Sequence, residues 1–310
     1  MMTRAVVFAY HDVGVRCLKT LLSHGIDVAL VVTHRDRADE NIWFASVADT
    51  AADYGIEVIT PDDPDTPEVL DRVRAAHPDL LFSFYYRHLL GTALLDSAPL
   101  GAFNMHGSLL PAYRGRVPVN WALIHGETET GATLHAMTSK PDNGAIVDQM
   151  AVPILCDDDA ADVFAKITVA AEIVLSRSLP ALAAGRATLT AQDLSRGGYF
   201  GGRRPEDGHL DPAWDAARLH NFIRALTRPF PGAFASLAGR QLRIWRSFRA
   251  PFPVGVPRPA CASLMAAGGT LWLLAANGQA LRLTDAELDG QPLDAAAFHT
   301  LFDQQTLELA

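Results

Sequence analysis

Apolar positions fall in short unbroken runs that alternate with stretches of helical spacing over the first half of the chain. Ala5–Tyr10 (AVVFAY) is such a run and predicts a buried strand. HDVG after it reads as a turn, and VRCLKTLLSHG as a helix ended by Gly25, a residue suited to a helix C-terminus. DVALVVTH predicts a second strand, Asn41–Tyr54 a helix, IEVIT a short strand, Pro67–His77 a third helix and DLLFSFYY a further strand. This alternation predicts βαβ units, an α/β fold whose mostly parallel sheet carries helices on both faces. Ligands in such open sheets bind outside the carboxyl ends of the strands.

The pattern changes from Gly131. GATLHAM and AIVDQMAVPI read as strands and Ala160–Ala184 as a long helix. Ser195–Gly208, Gly-rich and charged, reads as a linker or a functional loop. Beyond it come a short helix over His220–Thr227 and two hairpins, one turning near Gly239 and one at Asn277–Gly278, a strong hairpin signal. Short strands separated by turns predict a small C-terminal β-barrel, OB-like in size. The expected division is residues 1–195, a linker over 196–208, and the barrel over 209–310. HDVGVRC holds Gly14 but no GxGxxG, so a Rossmann-like sheet is expected without its nicotinamide site.

Length and composition fit this division. A chain of 310 residues, 49% hydrophobic and 20% charged, can bury full cores without staples. Cys17, Cys156 and Cys261 are far apart and form no CxxC pair, so reduced thiols and a cytoplasmic location are expected. MMTRAVVFAY has too short an apolar run, followed at once by Asp12, to read as a signal peptide, and no segment reaches the length of a membrane span. The net charge is −9 with three lysines, which argues against broad nucleic-acid binding and leaves local arginines for a phosphate.

The candidate chemistry lies in GAFNMHGSLLPAYRGRVPVN, Gly101–Asn120. Asn104 and His106 are two apart on a strand and so share a face. The loop after them is stiffened by Pro111 and Pro118 and offers Ser108, Tyr113, Arg114 and Arg116 as polar contacts. Downstream, Asp142 precedes Asn143 and Gly144 in a turn between two strands, from where a carboxylate could reach back to His106. An amide, an imidazole and a carboxylate suit acyl transfer to an amine. Asn donates to the developing oxyanion, His moves protons, and the carboxylate raises the His pKa. The same residues also read as a turn amide, a satisfied core histidine and ordinary turn chemistry. There is no HExxH or Cys/His cluster, so no metal is expected, and no GxSxG elbow, which argues against a serine hydrolase.

Taken together, Asn104-x-His106, GSLLPAYRG and Asp142-x-Gly144 resemble the folate-dependent formyltransferases. VVFAYHDVG, FSFYYRHLL, the stretch from GAFNMHGS to GATLH, and RPFPGAF carry the likeness from residue 6 to about 234. Within the family the wording is closest to the branch that formylates UDP-4-amino-4-deoxy-L-arabinose, an activity of polymyxin resistance and lipid A modification. The resemblance implies 10-formyltetrahydrofolate as donor and a nucleotide-linked amino sugar as acceptor. It implies proton transfer by His106, oxyanion stabilisation by Asn104, and Asp142 orienting His106. Donor contacts carry over to His88, Leu89 and Leu90 and to Thr138, Ser139, Lys140, Pro141 and Asp142, and an acceptor contact to Arg116. The segment ending at Ala310 shows no attached decarboxylase domain, so a separate enzyme is expected to supply the amino sugar.

The resemblance leaves room for a homo-oligomer and for a second acceptor, methionyl-tRNA. Charge weighs against tRNA. Residues 251–310 carry Arg258 and Arg282 against Asp285, Glu287, Asp289, Asp294, Asp303 and Glu308, whereas a nucleic-acid face is basic. A folate-binding module without turnover, and a hydrolase releasing formate, are the readings from other classes.

Overall fold

The computed structural model describes residues 2–37 and 40–310; Met1, where the expected first domain begins, lies outside them. The chain opens with β1 (Arg4–Ala9), α1 (His11–Ser23), β2 (Asp27–Val32), α2 (Val47–Asp53), β3 (Val58–Ile59), α3 (Pro67–Ala75), β4 (Leu80–Phe84), α4 (Thr92–Leu95) and β5 (Ala102–His106). It continues with β6 (Arg114–Gly115), α5 (Pro118–Ile124), β7 (Glu129–Ala136), β8 (Ile146–Pro153), α6 (Ala160–Ala183) and β9 (Tyr199–Phe200). The last third holds α7 (Ala216–Leu226), β10 (Ala233–Leu237), β11 (Arg240–Ala250), β12 (Ser263–Ala267), β13 (Thr270–Leu274), β14 (Ala280–Leu288), β15 (Gln291–Pro292), α8 (Ala295–Leu301) and β16 (Thr306–Glu308). These form two compact units. One takes the residues up to Pro118 with Glu129–Pro153 and Phe164–Gly201; the other takes Val119–Thr128, Ile154–Val163 and Gly202–Ala310.

The first unit is built on a sheet in the order β3-β2-β1-β4-β5-β7-β8. Strands β3 to β5 are parallel, and β7 and β8 add antiparallel. The parallel strands read as unbroken apolar runs because helices cover both faces. Phe8, Phe82 and Phe84 are fully buried, each worth about 1.5–3 kcal/mol of burial. The chain builds outward from β1 to β2 and β3, then returns to place β4 and β5 on the other side, so the strand order reverses between β1 and β4.

Two local expectations are corrected. HDVG is not a turn: α1 begins at His11, directly after Tyr10, and Gly14 lies inside the helix. Asn41–Ser46 is not helical. α2 starts only at Val47, where the Ser46 side chain accepts from the Asp49 N–H as an N-cap. The preceding Trp43 and Phe44 turn instead into a group of rings around His11. Within Ser195–Gly208, Tyr199–Phe200 pairs in parallel with Arg114–Gly115.

In the second unit the antiparallel order is β10-β11-β14-β13-β12-β16, with β15 on β14. Its ends meet. Leu237 bridges Leu309, and Ser236 and Ala310 exchange N–H···O bonds of 2.8 and 2.9 Å. The sheet therefore closes into a barrel, which removes its free edges. Irregular register around Arg246 in β11 adds the bend that closure needs. Asp285 and Glu287 pair with Arg228, and Asp289 with Arg240, so much of the acidic charge of the last sixty residues is met by arginines just upstream. No described helix is long and apolar enough to cross a membrane.

Candidate active site

The carboxyl end of β5 and the facing part of β7 hold three polar side chains that the sheet register brings together, and the β7–β8 connection adds a fourth. Asn104 and His106 share a face of β5, as their spacing predicts. Asn104 stands directly opposite His135 of β7, and the Asn104 amide nitrogen lies 3.1 Å from His135 Nε2. His135 Nδ1 donates to the Ala136 carbonyl at 2.9 Å, which fixes its ring. Asp142, in the β7–β8 connection, places Oδ1 3.5 Å from His106 Nδ1 and 3.5 Å from His135 Nε2. One carboxylate oxygen thus serves both imidazoles. Its other oxygen accepts from the Gly115 N–H at 2.8 Å.

Asp142 reaches this position through a left-handed backbone, φ 56°. Such strain in a side-chain-bearing residue costs of order 1–3 kcal/mol and persists where the surroundings impose it. Here Gln192 Nε2 donates to the carbonyls of Asp142 and Gly144 at 2.8 and 2.6 Å. Gly144 passes so close to the Ala136 carbonyl that a Cβ there would collide with it. Arg114 ties the same turn to the Pro-rich loop, donating from Nη1 to Asn143 Oδ1 at 2.9 Å and from Nη2 to the Leu194 and Gly197 carbonyls.

Charge is set by depth. Burial is the largest influence on His106 and pushes its pKa below the ordinary value, against the opposing pull of Asp142 and the Tyr113 carbonyl. The expectation that the carboxylate raises the pKa of His106 is therefore corrected: the pull exists, but desolvation of a ring only 6% exposed exceeds it. For Asp142 burial pushes upward, yet His106, His135 and the Gly115 N–H outweigh it and hold the carboxyl at about 2. At neutral pH the pair is a carboxylate beside a neutral imidazole. His106 Nε2–H donates to the Tyr113 carbonyl at 2.8 Å, so Nδ1 carries the lone pair. A proton taken there meets Asp142, so the imidazolium has an acceptor at each nitrogen. This arrangement can take up a proton transiently and offers no thiol, hydroxyl or amine as a nucleophile.

Other expected site residues are placed as follows. His88 and Leu89 are exposed, Leu89 at 69%, while Leu90 is buried in the core around Tyr86 and Met137. Thr138, Ser139, Lys140 and Pro141 form the turn that leads into Asp142, with Thr138 Oγ1 donating to the Lys140 carbonyl. The Tyr86 hydroxyl is buried without a hydrogen-bond partner among the described residues. Arg116 is exposed, and its backbone N–H is fixed by the Phe200 carbonyl. Ser108 is fully buried and bonds Ala112, so it braces the loop from within. His135 was not singled out in the sequence as part of this group. Its signal was a lone histidine in an otherwise apolar strand, and only the cross-strand register shows what it faces. Among the described residues no group of His, Cys, Asp or Glu could hold a metal ion.

Comparison with known proteins places this geometry in context. The sequence pattern of the family described as Formyl transferase matches residues 4–179, and that of the Formyl transferase C-terminal domain matches residues 203–302. The fold is similar to that of an N-formyltransferase from Helicobacter canadensis, solved with folinic acid and dTDP-3-aminofucose. The identity is 18% and the TM-score 0.69, over 94% of this chain and 100% of that one. HypX from Aquifex aeolicus, solved with tetrahydrofolic acid, shares 14% identity at a TM-score of 0.64, over 98% of this chain and 47% of that one. Glycinamide ribonucleotide transformylase 1 from Symbiobacterium toebii shares 27% identity at a TM-score of 0.53, over 62% of this chain and 95% of that one.

Proposed function

Because the chain belongs to the formyl transferase family, we propose that it moves a formyl group from 10-formyltetrahydrofolate to the amine of a nucleotide-linked amino sugar. The reading rests on one observation: Asn104, His106, His135 and Asp142 converge at the carboxyl edge of the sheet with no side-chain nucleophile among them. The bound donor supplies an N-formyl group activated toward amines. The acceptor nitrogen attacks the formyl carbon directly, gains the C–N bond and loses a proton; the folate nitrogen loses the formyl group and gains a proton. His106 is assigned the proton, since burial keeps it neutral and Asp142 stands ready to stabilise its charged form. Asn104 is assigned the formyl oxygen, where its amide N–H offsets developing negative charge. His135 and Gly115 hold Asp142 in place. His88, Leu89 and Leu90 and the turn Thr138–Asp142 are assigned to the folate, and Arg116 to the acceptor.

The sugar we favour is UDP-4-amino-4-deoxy-L-arabinose, on the likeness of GAFNMHGSLLPAYRGRVPVNW and its flanks. The Helicobacter canadensis neighbour was solved with a dTDP-linked amino sugar, which supports the nucleotide-sugar class and leaves dTDP as the second candidate. Methionyl-tRNA is disfavoured because the last sixty residues carry only Arg258 and Arg282, so that even with Asp285, Glu287 and Asp289 paired they supply little of the basic charge a nucleic acid calls for. The test is an acceptor screen over UDP- and dTDP-linked amino sugars and methionyl-tRNA, with product read by mass. Formylation of a nucleotide sugar is expected; formylation of methionyl-tRNA alone would replace the reading.

A further inference from the structure

Residues 190–200 run back across the turn that carries Asp142. Thr190 exchanges N–H···O bonds of 2.8 Å with Ile146 of β8, so the segment enters along the edge of the sheet. Two residues on, Gln192 Nε2 donates to the Asp142 carbonyl at 2.8 Å and to the Gly144 carbonyl at 2.6 Å. One amide thereby grips both ends of the stretch 142–144. Turned over, that amide would set its oxygen against both carbonyls, so the bonding pattern fixes its orientation. Gln192 Oε1 is buried without a hydrogen-bond partner among the described residues. A buried acceptor left unpaired is unfavourable. An amide held there at that cost points to a need for its two N–H groups.

The same segment reaches the other neighbours of His106. The Leu194 and Gly197 carbonyls accept from Arg114 Nη2, and Arg114 Nη1 donates to Asn143 in the turn. Tyr199 and Phe200 pair with Arg114 and Gly115, whose N–H holds Asp142 Oδ2. Phe200 stacks on Tyr113 with ring centroids 5.0 Å apart, and the Tyr113 carbonyl accepts from His106. The bond from Gln192 differs from these in falling on the backbone of Asp142 itself. That backbone is left-handed, φ 56°, and such strain persists where the surroundings impose it. His106 of β5, His135 of β7 and the Gly115 N–H of β6 face the carboxylate once it is in place. The direction in which the side chain leaves the turn is set by the backbone that Gln192 clamps.

We infer that Gln192 is a positioning residue for the transfer: its two N–H groups hold the turn in the form that presents the Asp142 carboxylate to both imidazoles. It acts on His106 only through Asp142. The inference rests on the formyl-transfer reading above and adds to it the residue that sets the charge pair.

The test compares wild type, Gln192→Met, Gln192→Ala, Asp142→Asn and the double variant Gln192→Met with Asp142→Asn. Met keeps the length of the side chain and lacks the N–H groups. With saturating 10-formyltetrahydrofolate and UDP-4-amino-4-deoxy-L-arabinose as acceptor, Gln192→Met and Gln192→Ala are each expected to lower kcat about tenfold or more. The acceptor KM should stay within about twofold of wild type. In the Asp142→Asn background, Gln192→Met should cost less than about twofold, because the charge being positioned is already gone. Melting curves give a second readout that needs no acceptor and show that the variants fold. The stability that Asp142 adds is present above about pH 4 and lost as pH falls toward 2. Wild type should therefore lose more melting temperature between about pH 5 and 2 than Gln192→Met, whose carboxyl is no longer held against the imidazoles. Wild-type kcat in Gln192→Met, or the same fold loss with and without Asp142→Asn, overturns the inference and leaves formyl transfer standing. If wild type leaves the acceptor unformylated, the favoured sugar falls and melting alone judges Gln192: an equal acid loss in wild type and Gln192→Met overturns the clamp.

Discussion

Replacing Asp142 by Asn keeps the shape of the side chain, and its oxygen can still accept from the Gly115 N–H, but the charge shared by His106 and His135 is removed. The magnitude follows from the carboxyl pKa, about 2 in the fold against roughly 3.9 in an unfolded chain. A pKa depressed on folding means that the charged form is the one the fold stabilises. The contribution is present above about pH 4, is lost as pH falls toward 2, and is worth on the order of 2 kcal/mol. Asp142→Asn should therefore melt several degrees below wild type at pH 7. The gap should narrow as pH drops from about 5 toward 2, because the unfolded chain takes up its proton at about pH 4 and the folded carboxylate only at about 2. Turnover should fall about a hundredfold or more, since proton transfer at His106 loses its counter-charge. With the upward pull of Asp142 gone, the pKa of His106 falls further, while the acid limb of the residual activity, set by the acceptor amine, should stay where it is in wild type. The assays are melting curves at stepped pH and a pH profile of turnover for both proteins. A melting gap independent of pH, or a variant that retains wild-type turnover, would refute the electrostatic role given to Asp142.

Other substitutions probe the remaining parts. His106→Ala should lower turnover about a hundredfold in a protein that still folds, with a melting temperature lowered by the loss of a buried ring and its bond to the Tyr113 carbonyl; unchanged turnover would take His106 out of the reaction. For wild type, burial keeps His106 neutral down to below its ordinary range. Activity should then fall on the acid side mainly as the acceptor amine protonates, and a profile flat between about pH 5 and 9 would contradict attack by a free amine. Gly144→Ala should displace the turn that carries Asp142, because the added methyl collides with the Ala136 carbonyl. A crystal structure of that variant with Asp142 still against both imidazoles would show the turn to be less constrained than described.

Much of the fold is legible in the sequence because the parallel strands are apolar runs buried on both faces, and the barrel hairpins announce themselves at Gly239 and Asn277–Gly278. The failures are local and physical. Asn41–Tyr54 has helix-compatible composition, yet Trp43 and Phe44 gain more from the rings around His11 than from a first helical turn. At the site, Asn104 and His106 are legible because a two-residue spacing on a strand dictates a common face. His135 is thirty-one residues from Asn104, and only the β5–β7 register makes them neighbours. The protonation state of His106 was also out of reach, since it depends on a depth of burial that no spacing encodes.

The central claim is that a neutral amine takes the formyl group directly, in a site with a proton carrier and no enzyme nucleophile. The most direct test is the rate of tetrahydrofolate release from 10-formyltetrahydrofolate, measured with and without a nucleotide-linked amino sugar. Release that requires the amino sugar and matches its formylation one for one is the predicted result. Release at the same rate without any amine would contradict the account and mark the protein as a formyl hydrolase.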